Sequence, residues 1–166
     1  MDIRDITYVM NAHQNFAKKP NKAYRKWDGK TPYYNHPIWC ATMITTETFL
    51  DEKTREEGIQ ALLYHDLIED TNMPLPNWLS DQVEELVLEM TFPEGSIQEM
   101  EEIWEKPPEI KLYKLYDKVS NLLDGSWMNE EKRQTYEKYT ERLCEEVENN
   151  YGTLNITKMM RGMVEM

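Results

Sequence analysis

Apolar residues recur at helical spacing through most of the chain. Ile3, Ile6, Val9, Met10 and Phe16 fall close to one stripe, which predicts a helix over residues 2–17. Pro20, Gly29 and Pro32 mark the next segment as loop. Pro37 suits the first turn of a helix running from Ile38 to Leu50, so His36 stands at its entrance. Ile59, Leu62, Leu63, Leu67 and Ile68 predict one continuous helix from about Lys53 to Thr71. After a turn at Asn72 to Pro76, a further helix is expected from Trp78 to Met90, with Leu79, Val83, Leu86, Val87 and Met90 on one face. Gly95, Pro107 and Pro108 bracket an acidic segment with no predicted element. Leu112, Leu115, Val119 and Leu122 give a helix over Ile110 to Leu123 its core side. A long charged helix from Asn129 to Asn150 and a short one from Asn155 to Val164 complete the chain. Strand-like alternation, internal repeats and low-complexity tracts are absent from the sequence. The expected fold is all-α, five to eight helices, with residues 1–166 forming one domain.

Composition narrows the function. At 166 residues and 40% hydrophobic content the chain can bury a proper core. No apolar run approaches the ~20 residues of a membrane span, and the N-terminus lacks a signal-peptide core, so a cytoplasmic protein without a membrane partner is expected. Cys40 and Cys144, far apart, read as reduced thiols. A net charge of −12 disfavours nucleic acid as a partner. The charge is uneven, however. Lys18, Lys19, Lys22, Arg25, Lys26 and Lys30 face only Asp28, which suits a small phosphorylated ligand and equally suits a solvated loop.

The polar exceptions to the apolar pattern carry the chemistry. His65, Asp66, Glu69 and Asp70 crowd one apolar helix, where uncompensated carboxylates repel one another and burial makes the repulsion worse. A bound cation resolves that conflict, and a solvated acidic helix end is the bland alternative. His36 precedes this cluster by one helical hairpin, while Asp117 and Asn121 project together from a later helix beside Lys114 and Lys118. Two imidazoles and two carboxylates suit a divalent transition metal and fit Ca²⁺ poorly. His13, near the first helical stripe, reads as a structural or surface histidine.

The order His36, then His65-Asp66, then Asp117 resembles the HD superfamily of metal-dependent phosphohydrolases. Three segments sharpen the likeness. They are Arg25-Lys26 with Gly29 and Pro32-Tyr33 leading to His36-Pro37, Ala61 to Thr71 with its His-Asp and Glu-Asp pairs, and Lys111 to Leu122 around Asp117 and Asn121. Together they resemble the hydrolase half of RelA/SpoT proteins and their small stand-alone relatives, over roughly residues 20–125. That resemblance implies a single HD-type helical domain that binds Mn²⁺ and removes the 3′-pyrophosphate of ppGpp or pppGpp, the nucleotides of the stringent response. It implies His36, His65, Asp66 and Asp117 as metal ligands, and Glu69 and Asp70 as the groups that orient water and handle protons. Arg25, Lys26, Thr31, Lys118 and Asn121 fall at substrate-binding positions. The segment from Glu94 to Glu109 departs from the family, which carries basic residues there. The alternatives are an HD-type phosphohydrolase for a deoxynucleotide or the phosphate of NADPH, and a non-catalytic nucleotide-binding module.

Overall fold

A computed structural model describes residues 1–165, and their regular structure is helical. Eight helices have seven or more residues: α1 (Ile3–Asn15), α2 (Asn35–Ile44), α3 (Glu52–Tyr64), α5 (Asp81–Glu89), α6 (Ser96–Glu102), α7 (Pro108–Leu123), α8 (Glu130–Tyr151) and α9 (Asn155–Val164). A single turn, α4 (Leu67–Asp70), follows α3. Pairing between extended segments is limited, among the described residues, to two isolated bridges, Ala17 with Thr71 and Tyr24 with Pro32. Helix starts follow ordinary capping chemistry: Asp51 accepts from the Thr54 amide, Ser80 from Val83 and Asn129 from Lys132.

Helix α7 is the axis of the core. It packs against α2, α3, α8 and α9, and Tyr113 and Tyr116 are fully buried along it. Its buried face also carries Lys114, Asp117, Lys118 and Ser120, and such polar groups stay buried only when they are partnered. The α2–α3 crossing is close enough that Gly58 faces Ile44 and Tyr113 with no room for a larger side chain. Cys40 and Cys144 are both buried free thiols. No helix among the described residues is long and apolar enough to cross a membrane.

Three expectations change. The helix predicted from Lys53 to Thr71 breaks at His65–Asp66. His65 Nδ1 lies 2.6 Å from the Leu62 carbonyl, the acceptor that the Asp66 amide would use in a continuous helix, and Asp66 takes φ −96°, ψ −2°. The helix after His36 begins earlier, at Asn35, and stops at Ile44 rather than Leu50. There the Thr45 and Thr46 hydroxyls donate to the carbonyls of Thr42 and Met43 at 2.6 and 2.8 Å. The acidic segment also contains a helix, α6, followed by a 3₁₀ turn at Ile103–Glu105.

Candidate metal centre and its pocket

Each candidate ligand is aimed by a second contact. His36, in the first turn of α2, has Nδ1 2.8 Å from the Ser120 hydroxyl on α7. Its Nε2 therefore faces inward, 3.2 Å from Asp117 Oδ1 and 3.4 Å from Asp66 Oδ2. His65 Nδ1 must donate to the Leu62 carbonyl, because a carbonyl oxygen only accepts. That fixes Nε2 as the lone-pair nitrogen of the neutral ring. It is buried without a hydrogen-bond partner, 3.1 Å from Asp66 Oδ2 and 3.7 Å from Asp117 Oδ1. Tyr33 donates its hydroxyl proton to Asp66 Oδ2 at 2.6 Å, and Asn121 donates to Asp117 Oδ1 at 2.8 Å.

A lone pair aimed at two carboxylates needs a positive charge between them. Either a proton or a metal ion can supply it. Burial alone would lower the His65 pKa, but Asp66 and Asp117 push it up to about 10, so without an ion the ring holds the proton. His36 moves the other way, lowered by burial, with the Arg25 charge acting in the same direction. Against their burial, Asp66 is held low by His65, and Asp117 well below the carboxylate range by Lys118 and Lys114. Donor atoms of His36, His65 and Asp66 all lie within 4.8 Å of one another. Asp117 Oδ1 borders the same space. Mixed imidazole and carboxylate donors with an orphaned Nε2 at their centre fit a divalent transition metal.

Glu69 and Asp70 follow on α4, beside the ligands. Glu69 Oε1 accepts from the Phe92 amide at 2.8 Å, and its pKa is raised by burial and by the Asp66 charge. Asp70 is raised for the same two reasons, despite an ion pair with Lys22 at 2.6 Å. Both carboxylates, with Asp66 and Asp117, line a chamber of about 170 Å³. Through Lys22, Tyr33, Ser96, Lys118 and Asn121 it adjoins a larger cleft of about 670 Å³. Six cations, Lys19, Lys22, Arg25, Lys26, Lys118 and Lys132, line that cleft against one carboxylate, Glu131. In a chain of net charge −12 this is where an anion is attracted.

No protein-family model matches the chain. Mouse guanosine-3′,5′-bis(diphosphate) 3′-pyrophosphohydrolase MESH1 is 34% identical over 129 residues, 72% of this chain and 70% of that protein. The human protein of the same name is 32% identical over 129 residues, and the Xenopus tropicalis one 34% over 130, with the same shares covered. The chain belongs to the MESH1 family. A solved structure, described as a metazoan ortholog of SpoT that hydrolyzes ppGpp, shares the fold with a TM-score of 0.72. It is 24% identical and the match covers 98% of this chain and 93% of that one.

Within this MESH1-family fold the remaining candidate residues fall at different distances from the centre. The Arg25 guanidinium makes bonds of 2.7 and 2.9 Å with Asp124 and one of 2.8 Å with Asn121 Oδ1, and it lies over the Tyr33 ring. Lys26 lines the cleft with its ammonium 4.4 Å from the centre of the Trp127 ring. Lys118 borders both cavities and binds Asp117 at 3.0 Å. Thr31 lines neither cavity. Its hydroxyl donates to Asp28 and its carbonyl accepts from the Arg25 amide, so it braces the loop that carries Arg25. Tyr33, Ser120, Glu99 and Asp124 also touch the centre or its supports, although spacing along the chain gives them no role. Each meets its partner across a long sequence separation, which periodicity does not register. His13 is buried 5.1 Å from the Tyr33 ring, and its pKa is lowered to about 4, chiefly by burial.

Proposed function

We propose that this protein is a metal-dependent hydrolase that removes the 3′-pyrophosphate of guanosine 3′,5′-bis(diphosphate), giving GDP and pyrophosphate. One observation carries the proposal: an orphaned His65 Nε2 facing two carboxylates at the floor of a cation-lined cleft. Membership of the MESH1 family supports the choice of substrate, because relatives bearing that activity in their names are 32–34% identical to this chain over 129 aligned residues. In this proposal His36, His65, Asp66 and Asp117 hold the ion; their mixed nitrogen and oxygen donors suit several divalent transition metals, and the resemblance to RelA/SpoT hydrolases favours Mn²⁺ among them. When bound, it supplies Lewis-acidic charge at the scissile phosphoryl group.

The chain's own groups do the rest. Glu69, fixed by the Phe92 amide, accepts a proton from the attacking water, and its raised pKa brings it closer to neutrality as a base. Asp70, held by Lys22, is the second proton carrier. Lys26, Lys118 and Asn121 border the nucleotide, while Arg25 orders the cleft wall through Asp124 and Asn121 and presents a planar cation beside Tyr33. Thr31 acts through Arg25, as a positioning residue. Residues 1–166 make up one HD-type domain in this account. The setting is alarmone turnover in the stringent response, in the cytoplasm, in keeping with the two free thiols. A panel of ppGpp, pppGpp, deoxynucleotides and NADPH incubated with metal-loaded protein tests the proposal. Preferred release of pyrophosphate from the guanosine alarmones supports it, and preferred dephosphorylation of another nucleotide contradicts the substrate while keeping the phosphohydrolase class.

A further inference from the structure

The segment Glu94 to Glu109 contributes one buried carboxylate to the protein, Glu99 on α6, and it is buried against the reaction chamber. Its Oε2 lies 2.9 Å from Lys118 Nζ and 3.3 Å from Lys114 Nζ. The same two ammonium groups each lie 3.0 Å from Asp117 Oδ2. Two lysines and two carboxylate oxygens thus close a neutral four-cornered ring on the chamber wall. The third lysine of the chamber, Lys22, is matched by Asp70. Every ammonium in the chamber therefore already has an internal counter-charge, whereas Lys26 and Lys132 of the adjoining cleft make no ion pair within 4.0 Å among the described residues.

An incoming phosphoryl group thus meets lysines that are already occupied. The two carboxylates on them differ in how firmly they are fixed. Asp117 belongs to the central helix α7, and its other oxygen accepts from Asn121 and faces His36 and His65. Glu99 rides on a seven-residue helix between Gly95, at φ +94°, and the Pro107–Pro108 pair, with Ser96 and Ile97 exposed. Its Oε1 accepts from the Tyr139 hydroxyl at 2.9 Å. Asp117 is thus tied to the central cluster, and Glu99 is not.

We propose that Glu99 is a built-in counter-anion that a substrate phosphoryl group displaces from Lys114 and Lys118, so that Glu99 sets how strongly the chamber holds phosphate. This rests on the phosphohydrolase assignment above and deepens it. The lysine pair is a phosphate subsite. Glu99 fills it in the absence of ligand, which keeps two buried ammonium groups from having to share Asp117 as their one counter-charge. It also weakens phosphate binding, and so favours release of a phosphate-containing product.

The test is a calorimetric titration of metal-loaded protein with inorganic phosphate at low salt, comparing wild type with Glu99→Gln. Gln keeps the Tyr139 bond and removes the charge. Freeing one charge-assisted contact on each lysine should lower the Kd by about tenfold, or about 1.4 kcal/mol. Adding Lys118→Met to Glu99→Gln should reverse the gain. Equal or weaker phosphate binding by Glu99→Gln overturns the proposal. A second readout needs no variant: phosphate should speed backbone hydrogen exchange across α6 in the wild-type protein, and unchanged or slower exchange there overturns it as well. Both measurements use inorganic phosphate, so failure of the ppGpp assay would leave them readable.

Discussion

His65 Nε2 lies 3.1 Å from Asp66 Oδ2, although the two residues are neighbours in sequence and a continuous helix would point them about 100° apart. The break between α3 and α4 brings them together, and the Nδ1 contact with Leu62 both permits the break and fixes the tautomer. The pair can hold a proton or a metal ion between its atoms, and the two occupants have opposite consequences for pH dependence.

In the metal-free protein His65 titrates near 10, above its ordinary value of about 6.5. A raised histidine pKa adds stability in full below the unfolded value, and this is lost as pH rises through the folded one. The melting temperature of chelator-treated protein should therefore fall between about pH 6.5 and 10. Metal-loaded protein should lack this loss, and metal uptake near pH 7.5 should release one proton, read calorimetrically in buffers of different ionisation enthalpy. Identical melting profiles with and without metal would argue against a cation between these groups.

Tyr33 donates to the Asp66 oxygen that lies nearest both imidazoles. Removing such an orienting partner typically weakens metal binding by about 10–100-fold. Tyr33→Phe should show that loss in a competitive chelator titration while circular dichroism stays helical. Undiminished affinity would reduce Tyr33 to a packing residue.

Glu69 is aimed by the Phe92 amide. Glu69→Gln preserves that acceptor and should keep the bound metal, measured by elemental analysis, while lowering kcat by roughly 10²-fold or more. Loss of the metal would make Glu69 a ligand. Unchanged kcat would remove it from the reaction.

The metal centre depends on how closely the helix bearing His36 approaches the one leading to His65. A Cβ at Gly58 would stand 2.5 Å from Ile44 Cδ1 and 2.6 Å from Tyr113 Cε1. Gly58→Ala should thus cost about 1–3 kcal/mol by overpacking, seen as a lower urea midpoint. A gain in stability would show that the α2–α3 crossing can widen freely.

Much of this architecture is legible along the chain. The apolar stripes of α1, α5 and α7 locate those helices, and the order of His36, His65-Asp66 and Asp117 names residues that the fold places side by side. What escapes is the set of contacts decided by tertiary structure. The periodic run through Ile68 hides the break at His65, because a side-chain bond to Leu62 overrides helical continuity there. The acidic run hides α6, since nothing local distinguishes Glu99 from its exposed neighbours. Its partners lie on α7, and Tyr139 lies on α8. Asp124 likewise meets Arg25 from 99 positions away.

The most direct measurement is product analysis by anion-exchange chromatography after ppGpp is incubated with Mn²⁺-loaded wild-type protein and with Asp66→Ala. The wild type should yield stoichiometric GDP and pyrophosphate, and Asp66→Ala neither product nor bound metal. Intact ppGpp with the fully metal-loaded wild type, or equal turnover by Asp66→Ala, would contradict it.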